Sequence, residues 1–199
     1  IFTNGNYQSN ELRLAEKEFN LKKKEIVNTG YFFLDHLNNK ADKSLKETRN
    51  ILFAPSWNYN KNNLFDDYSL DIIKILISQN YKITLRPHPE HYKRSKITID
   101  KIKKLFGNNK NFYLDKNFSN LNSLEKAEIL ITDNSSIVFE FLLIFKRPII
   151  YINYKEKIHN PDNNKILVKT IDQDLKEKFG NLIEIKNLDQ LPIMCEKLI

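Results

Sequence analysis

The chain has 199 residues, 41% hydrophobic and 29% charged, which suits one domain of ordinary size with a real core and excludes a disordered chain. Only 4 glycines are present, so a Gly-rich phosphate loop of the P-loop or dinucleotide type is excluded and any phosphate site must be built another way. Lys and Arg number 32 against 25 Asp and Glu, and the net charge of +7 favours anionic partners, although the many Asn residues also fit a compositional bias that raises Lys, Asn and Ile together.

The opening Ile1-Phe2-Thr3-Asn4 carries neither an initiator Met nor a signal-peptide pattern, and the chain reads as a piece of something longer. Residues 1–46 are polar and mixed, a connecting segment with a helix over Glu11–Phe19 and a turn at Gly30. Residues 47–199 read as one nucleotide-binding domain. Asn50–Ala54 is a short apolar run stopped by Pro55, the pattern of a buried strand. Tyr68–Ser78 places Leu70, Ile73, Leu76 and Ile77 on one helical face. Strands follow at Tyr81–Leu85 and Asn111–Leu114, with a helix over Ile97–Phe106 between them. A short helix spans Leu121–Lys126, and a strand covers Glu128–Thr132. Ile137–Phe145 is an almost wholly apolar helix, followed by a strand at Pro148–Ile152. A sixth strand at Leu182–Ile185 and a helix near Leu188–Leu198 close the chain. The single Cys195 cannot form an internal disulfide and points to a reducing cytoplasm. No apolar run approaches the roughly 18 residues of a membrane span.

Continuous apolar strands alternating with helices predict an α/β fold, a Rossmann-like parallel sheet with helices on both faces. Ligands of such sheets bind outside the carboxyl ends of the strands, so the residues just after each strand carry the information. After the first strand come Ser56, a hydroxyl, and Trp57, a flat face for a base or polyol. After the second comes Arg86-Pro87-His88-Pro89. Its two prolines hold His88 extended and at a fixed angle, where the imidazole can neutralise a diphosphate or hand a proton to a leaving phosphate. Arg86 offers a planar fork for phosphate. His91 is less constrained, and His36 and His159 belong to no pattern.

The strongest constellation is Thr132-Asp133-Asn134-Ser135-Ser136 before the apolar helix. The first N–H groups of a helix lack internal partners and carry the positive end of its dipole, so two adjacent hydroxyls there can hold phosphate oxygens. Asp, Asn and Ser are also good helix caps, and the two readings are compatible. Glu140 lies one turn into a helix too apolar to face solvent. Its carboxylate needs a partner, either ribose hydroxyls or an internal Arg or Lys. Metal-ligand spacings and a Gly-x-Ser-x-Gly elbow are absent from the sequence. The basic segment Tyr92–Lys104 fits a solvated helix face better than a nucleic-acid patch, and no nucleic-acid partner is expected. An acidic acceptor or a membrane surface would also suit it.

These motifs, in this order, resemble the CDP-glycerol glycerophosphotransferase family, the polymerases of teichoic acids and some capsules. The resemblance rests on Thr29-Gly30-Tyr31 with Asp35, Ile51–Trp57, Arg86-Pro87-His88-Pro89, Ile131–Ser136 and Lys146–Tyr151, and it spans residues 27–155. It implies one half of a GT-B architecture, the C-terminal domain that binds a CDP-glycerol-like donor. His88 matches the family's His-Pro histidine of donor-phosphate binding and catalysis. Ser135 and Ser136 match its Ser-Ser pair at the pyrophosphate. Arg86 then joins the phosphate site, while Ser56, Trp57, Asp133, Asn134 and Glu140 line the nucleotide and ribose. The resemblance also implies a polymer or lipid-linked acceptor, a cytoplasmic setting with peripheral contact to the inner membrane face, and no cofactor or dedicated metal. Two positions depart from the family, which usually has Tyr where Asn134 stands and Asp where Glu140 stands. Its second catalytic histidine, in the N-terminal domain, has no counterpart here. A nucleotide-sugar transferase or UDP-GlcNAc 2-epimerase-like enzyme would share the fold, and a non-catalytic module tethered to anionic polymer or membrane is the remaining alternative.

Overall fold

The structure is a computed structural model that describes residues 1–45, 48–58, 62–117, 121–155 and 162–199. The domain boundary expected between residues 46 and 47, and His159, lie outside the described residues.

The first segment holds two short parallel strands, β1 (Phe2–Thr3) and β2 (Val27–Asn28), joined through helix α1 (Asn6–Glu18). α1 has no buried residue, which explains its weak apolar pattern in the sequence. Helix α2 (Phe32–Lys40) follows and lays Leu34 and Leu37 against the main body.

The body is a six-stranded sheet of β3 (Asn50–Phe53), β4 (Lys82–Leu85), β5 (Phe112–Leu114), β6 (Ile129–Thr132), β7 (Ile149–Asn153) and β8 (Gly180–Glu184). The strand order is β5-β4-β3-β6-β7-β8 and every pairing is parallel. Successive side chains of a strand point to opposite faces, and here both faces are covered. Ile51 and Phe53 enter a core shared with α3 (Leu64–Ser78), α5 (Lys96–Phe106) and α9 (Leu191–Leu198). Leu52 and Ala54 enter a second core with α6 (Asn122–Lys126) and the segment 137–145. Ile51, Leu52 and Phe53 are fully excluded from solvent. Burial of each such side chain contributes about 1.5–3 kcal/mol. Cys195 lies inside the first core, where burial pushes its thiol up to about 12.

Several elements differ from the sequence reading. α3 begins at Leu64 rather than Tyr68, because Asn63 accepts a bond from the Asp66 N–H at 3.0 Å and Leu64 and Phe65 are wholly buried. The residues after His88 fold into a short helix, α4 (Pro89–Arg94), with proline in its first turn, where no N–H is needed. Helix α8 (Ile171–Phe179) was not anticipated and starts in a Thr170–Gln173 capping box. The apolar helix after β6 is one turn of α-helix, α7 (Ile137–Glu140), continued by a π turn over Phe141–Phe145. Lys146 ends it in the left-handed region at φ 55°.

Candidate functional site

The strand order reverses between β3 and β6: from β3 the chain winds outward through β4 and β5, and from β6 through β7 and β8. Open parallel sheets take ligands at such a switch point, beyond the carboxyl ends of the strands. Ser56 follows β3, and Asp133 to Ser136 follow β6, so the two turns meet at this point.

They are tied together. The Asp133 carboxylate accepts from the Ser56 N–H at 2.7 Å and from the Ser56 hydroxyl, with both residues buried. One residue earlier the Thr132 hydroxyl donates to the Ala54 carbonyl at 2.7 Å. Ser56 and Asp133 therefore fix the floor of the switch point. Asn134 is exposed beside them.

The next two residues differ. Ser135 is half-buried and Ser136 exposed, and neither hydroxyl has a hydrogen-bond partner among the described residues. Ser136 stands at the cap position of α7 but makes no side-chain cap bond. The capping role that the serine side chains could fill here is thus not taken up; the Val138 and Phe139 N–H groups bond instead to the Ser135 and Ser136 carbonyls, at 3.3 and 3.0 Å, and both hydroxyls sit at the positive end of the helix.

His88 keeps an extended backbone, φ −59° and ψ 145°, as the bracketing prolines require. Its Nδ1 accepts from the Glu90 N–H at 3.2 Å and caps α4. In the neutral ring this leaves the proton on Nε2, which becomes a donor. The imidazole is exposed and lies nearly parallel to Trp57, with ring centres 6.0 Å apart. The Arg94 guanidinium lies 5.5 Å from the same indole. Trp57, half-buried, thus orients His88.

Arg86 is half-buried and donates from Nη1 to the Ser123 hydroxyl at 2.9 Å. Burial lowers its pKa, while Asp115 and Glu140 oppose that shift. Burial raises the carboxyl of Glu140, with the Arg86 charge opposing. Glu140 makes no hydrogen bond or salt bridge among the described residues, so Arg86 balances its charge at a distance and leaves its oxygens for other donors.

Three features hold roles that the sequence pattern does not assign. His91 is fully buried, stacks on Phe65 with centres 4.2 Å apart, and bridges the Ser56 carbonyl (3.3 Å) and the Ser95 hydroxyl (3.2 Å). Ser95 passes on to Asp66 at 2.8 Å. Burial lowers the His91 pKa to about 4, so the ring is neutral near pH 7. Asp115, just past β5, is buried, and its Oδ2 has no hydrogen-bond partner among the described residues. Its position after a strand was the signal that could have found it. The Arg147 guanidinium donates to the carbonyls of Glu125 and Ala127, both at 2.6 Å, and of Lys43 at 3.0 Å, which closes the end of α6 and secures the residues after α2. Among the described residues no group of three or more His, Cys, Asp or Glu side chains could hold a metal ion. No helix there is long and apolar enough to cross a membrane.

The six-stranded parallel sheet, its reversal and the helices on both faces define an α/β domain of the GT-B kind. Residues 6–163 match the model of the CDP-Glycerol:Poly(glycerophosphate) glycerophosphotransferase family, and the chain belongs to that family. The teichoic acid glycerol-phosphate primase of Bacillus subtilis (strain 168) is 26% identical over 155 residues, a match covering 73% of this chain and 38% of the relative. Among solved structures, the wall teichoic acid polymerase TagF aligns over 99% of this chain and 48% of its own, with a TM-score of 0.58 and 20% identity. A putative UDP-N-acetylglucosamine 2-epimerase from Listeria monocytogenes aligns over 96% of this chain and 49% of its own, with a TM-score of 0.59 and 16% identity. The UDP-GlcNAc 2-epimerase of Methanocaldococcus jannaschii aligns over 96% and 51%, at 0.52 and 18%. The chain thus spans about half the length of these structures and less of the curated relative, and at these identities the structures speak for the fold alone.

Proposed function

We propose that this chain is the donor-binding half of a transferase that moves glycerol phosphate, or a close polyol phosphate, from a CDP-activated donor onto a teichoic-acid or capsule polymer. The observation that carries the reading is the pair of unengaged hydroxyls, Ser135 and Ser136, at a helix start on the switch point of the sheet. Membership of the CDP-Glycerol:Poly(glycerophosphate) glycerophosphotransferase family supports this choice of donor class.

In this reading the Ser135 and Ser136 hydroxyls, at the positive end of the helix, hold the diphosphate. His88 donates from Nε2 to a phosphate oxygen, steadied by Trp57. Glu140 accepts from ribose hydroxyls, with Arg86 offsetting its charge and extending the positive field toward the phosphates. Ser56 and Asp133 hold the floor against which the nucleotide lies, and Asn134 edges it. The acceptor hydroxyl attacks the phosphorus that bears the polyol. A new P–O bond forms, the phosphoanhydride bond breaks and CMP leaves. The hydroxyl proton passes to a base contributed from outside this chain. His88, Ser135 and Ser136 stabilise the charge that builds on the diphosphate. The acceptor is a polymer or its lipid-linked start, and a peripheral contact with the membrane face suits the basic helix α5.

Calorimetric titration with CDP, CMP, UDP and CDP-glycerol tests the donor, repeated with Ser135→Ala/Ser136→Ala. Preference for the cytidine diphosphates that the double change abolishes is the expected result. A preference for UDP would move the assignment to sugar transfer or epimerisation, and binding of anionic polymer with no nucleotide site would leave only a tethering module.

A further inference from the structure

Away from the serine turn, α6 and the β4–β5 edge of the sheet enclose a groove of about 330 Å³. That volume is within the range of small-ligand sites, roughly 300–1,000 Å³. α6 has only 5 residues, too short to cover the strands beneath it, and this leaves the groove open. Its lining combines two kinds of group. Lys82, Lys110 and Lys126 bring ammonium groups, and Asn122, Ser123 and Asp115 bring neutral donors and an acceptor. Lys110 and Lys126 form no ion pair among the described residues, so their charge is not neutralised by the protein. The buried Asp115 Oδ2 has no hydrogen-bond partner among the described residues and can accept from a donor. A buried carboxylate oxygen left unpaired destabilises the fold unless something donates to it.

A purely anionic ligand would satisfy the lysines and be repelled by Asp115. A purely neutral polyol would satisfy Asp115 and leave Lys110 and Lys126 without an anion. A chain of alternating phosphates and hydroxyls satisfies both. The groove also has the right direction. Lys82 and Lys110 stand at the amino ends of β4 and β5, whereas Asp115 and Arg86 follow their carboxyl ends. At roughly 3.3 Å per strand residue this length is about 13 Å. At its upper end Ser123 is shared, lining the groove and accepting from Arg86, the residue that balances Glu140.

We propose that this groove binds a phosphodiester-linked polyol segment of the acceptor, with its phosphates on Lys82, Lys110 and Lys126 and its hydroxyls on Asp115, Asn122 and Ser123. The groove would then lead the acceptor chain toward the edge of the sheet at which the donor is held. This rests on the polyol-phosphate reading above, but its site and ligand are separate from the nucleotide's.

The test uses the full-length protein titrated with a synthetic tetra(glycerol phosphate) and, separately, with CDP. Lys110→Glu/Lys126→Glu is expected to weaken the oligomer about tenfold or more at low salt and to leave CDP affinity within about twofold. Lys22→Glu/Lys23→Glu, on the exposed segment before β2, changes the net charge equally and should leave the oligomer within about twofold. Asp115→Asn should weaken the oligomer but not inorganic tripolyphosphate, which has no hydroxyl to offer. The proposal is overturned if the groove variant leaves oligomer affinity unchanged or if the Lys22/Lys23 control loses as much. It is likewise overturned if a short oligothymidylate binds as tightly with the same lysine dependence. CDP binding without oligomer binding sinks this inference alone; oligomer binding at the groove without CDP binding sinks the donor reading alone.

Discussion

The turn after β4 and the turn after β6 sit on the same edge of one sheet, and they use their polar residues in opposite ways. After β4, nearly every polar atom is wired into the protein: His88 caps α4, His91 bridges Ser56 and Ser95, and Ser95 reaches Asp66. After β6, Asp133 is wired to Ser56, but Ser135, Ser136 and Glu140 hold no hydrogen bond among the described residues. Ser136 is exposed and Ser135 and Glu140 are half-buried, so these groups face solvent in part and no partner within the protein is required of them. The first turn therefore builds a scaffold, and the second leaves its side-chain groups outside that scaffold.

The largest effect should come where the unpaired hydroxyls are removed. Ser135→Ala/Ser136→Ala in the full-length enzyme should lower turnover by about 10²–10³-fold, as loss of donors to a developing anion does. Thermal midpoint should stay within about 2 °C, because neither hydroxyl holds the fold. A large fall in the midpoint would break the comparison. Asp133→Ala should show the opposite pattern. Chemical denaturation should find it about 2–4 kcal/mol less stable, since the buried Ser56 N–H and hydroxyl lose their acceptor.

His91 sharpens the contrast through pH. Its folded pKa, about 4, lies below the ordinary value of 6.5. The neutral ring therefore contributes stability that is fully present above 6.5 and is lost as pH falls toward 4. The loss amounts to about 3 kcal/mol over that window. Denaturation curves of wild type should show it, and His91→Phe should have a shallower dependence between those pH values. An unchanged slope would mean that another group controls acid stability. The smallest effect should be at the rim: Arg94→Ala removes a cation from the face of Trp57 and should cost about 0.5–1 kcal/mol. The emission of Trp57, the one tryptophan in the sequence, can follow the change.

The parallel sheet was legible because its strands are short apolar runs each stopped by turn residues, as at Phe53-Ala54-Pro55 and Thr132-Asp133-Asn134. Boundaries there agree with the structure to within about two residues. The helix α3 was read late because periodicity found Leu70 and Ile73 while the capping Asn63 looked like loop. α8 escaped because it buries little, and a helix with a dry face is what periodicity detects; α1 was read only from Glu11 onward, since it has no buried residue to mark its start. At the site, the residue types of the serine turn pointed to phosphate without saying whether the serines would cap the helix instead. What the fold adds is that Ser136, at the cap position, makes no side-chain cap bond. The network through His91 joins residues distant in sequence, Ser56, Asp66 and Ser95, and spacing alone cannot announce it. Asp115 was passed over because a single Asp in a turn normally solvates itself, and its unpaired oxygen emerges only from packing.

A π turn holds one residue more than the α turn it replaces. The helix after β6 is therefore a single deletion away from regular α register. Its downstream end is pinned by Lys146 in a left-handed conformation and by Arg147 on the carbonyls around α6. Removing Leu143, on the exposed side of the π turn, should therefore let the turn close as α-helix while the residues on either side keep their places. A second deletion would have no extra residue to draw on and should rotate the upstream part by about 100°, swinging Glu140 and the two serines away from the switch point without any of them being changed. The aim of the serine turn thus tolerates the loss of one residue after it and not of two.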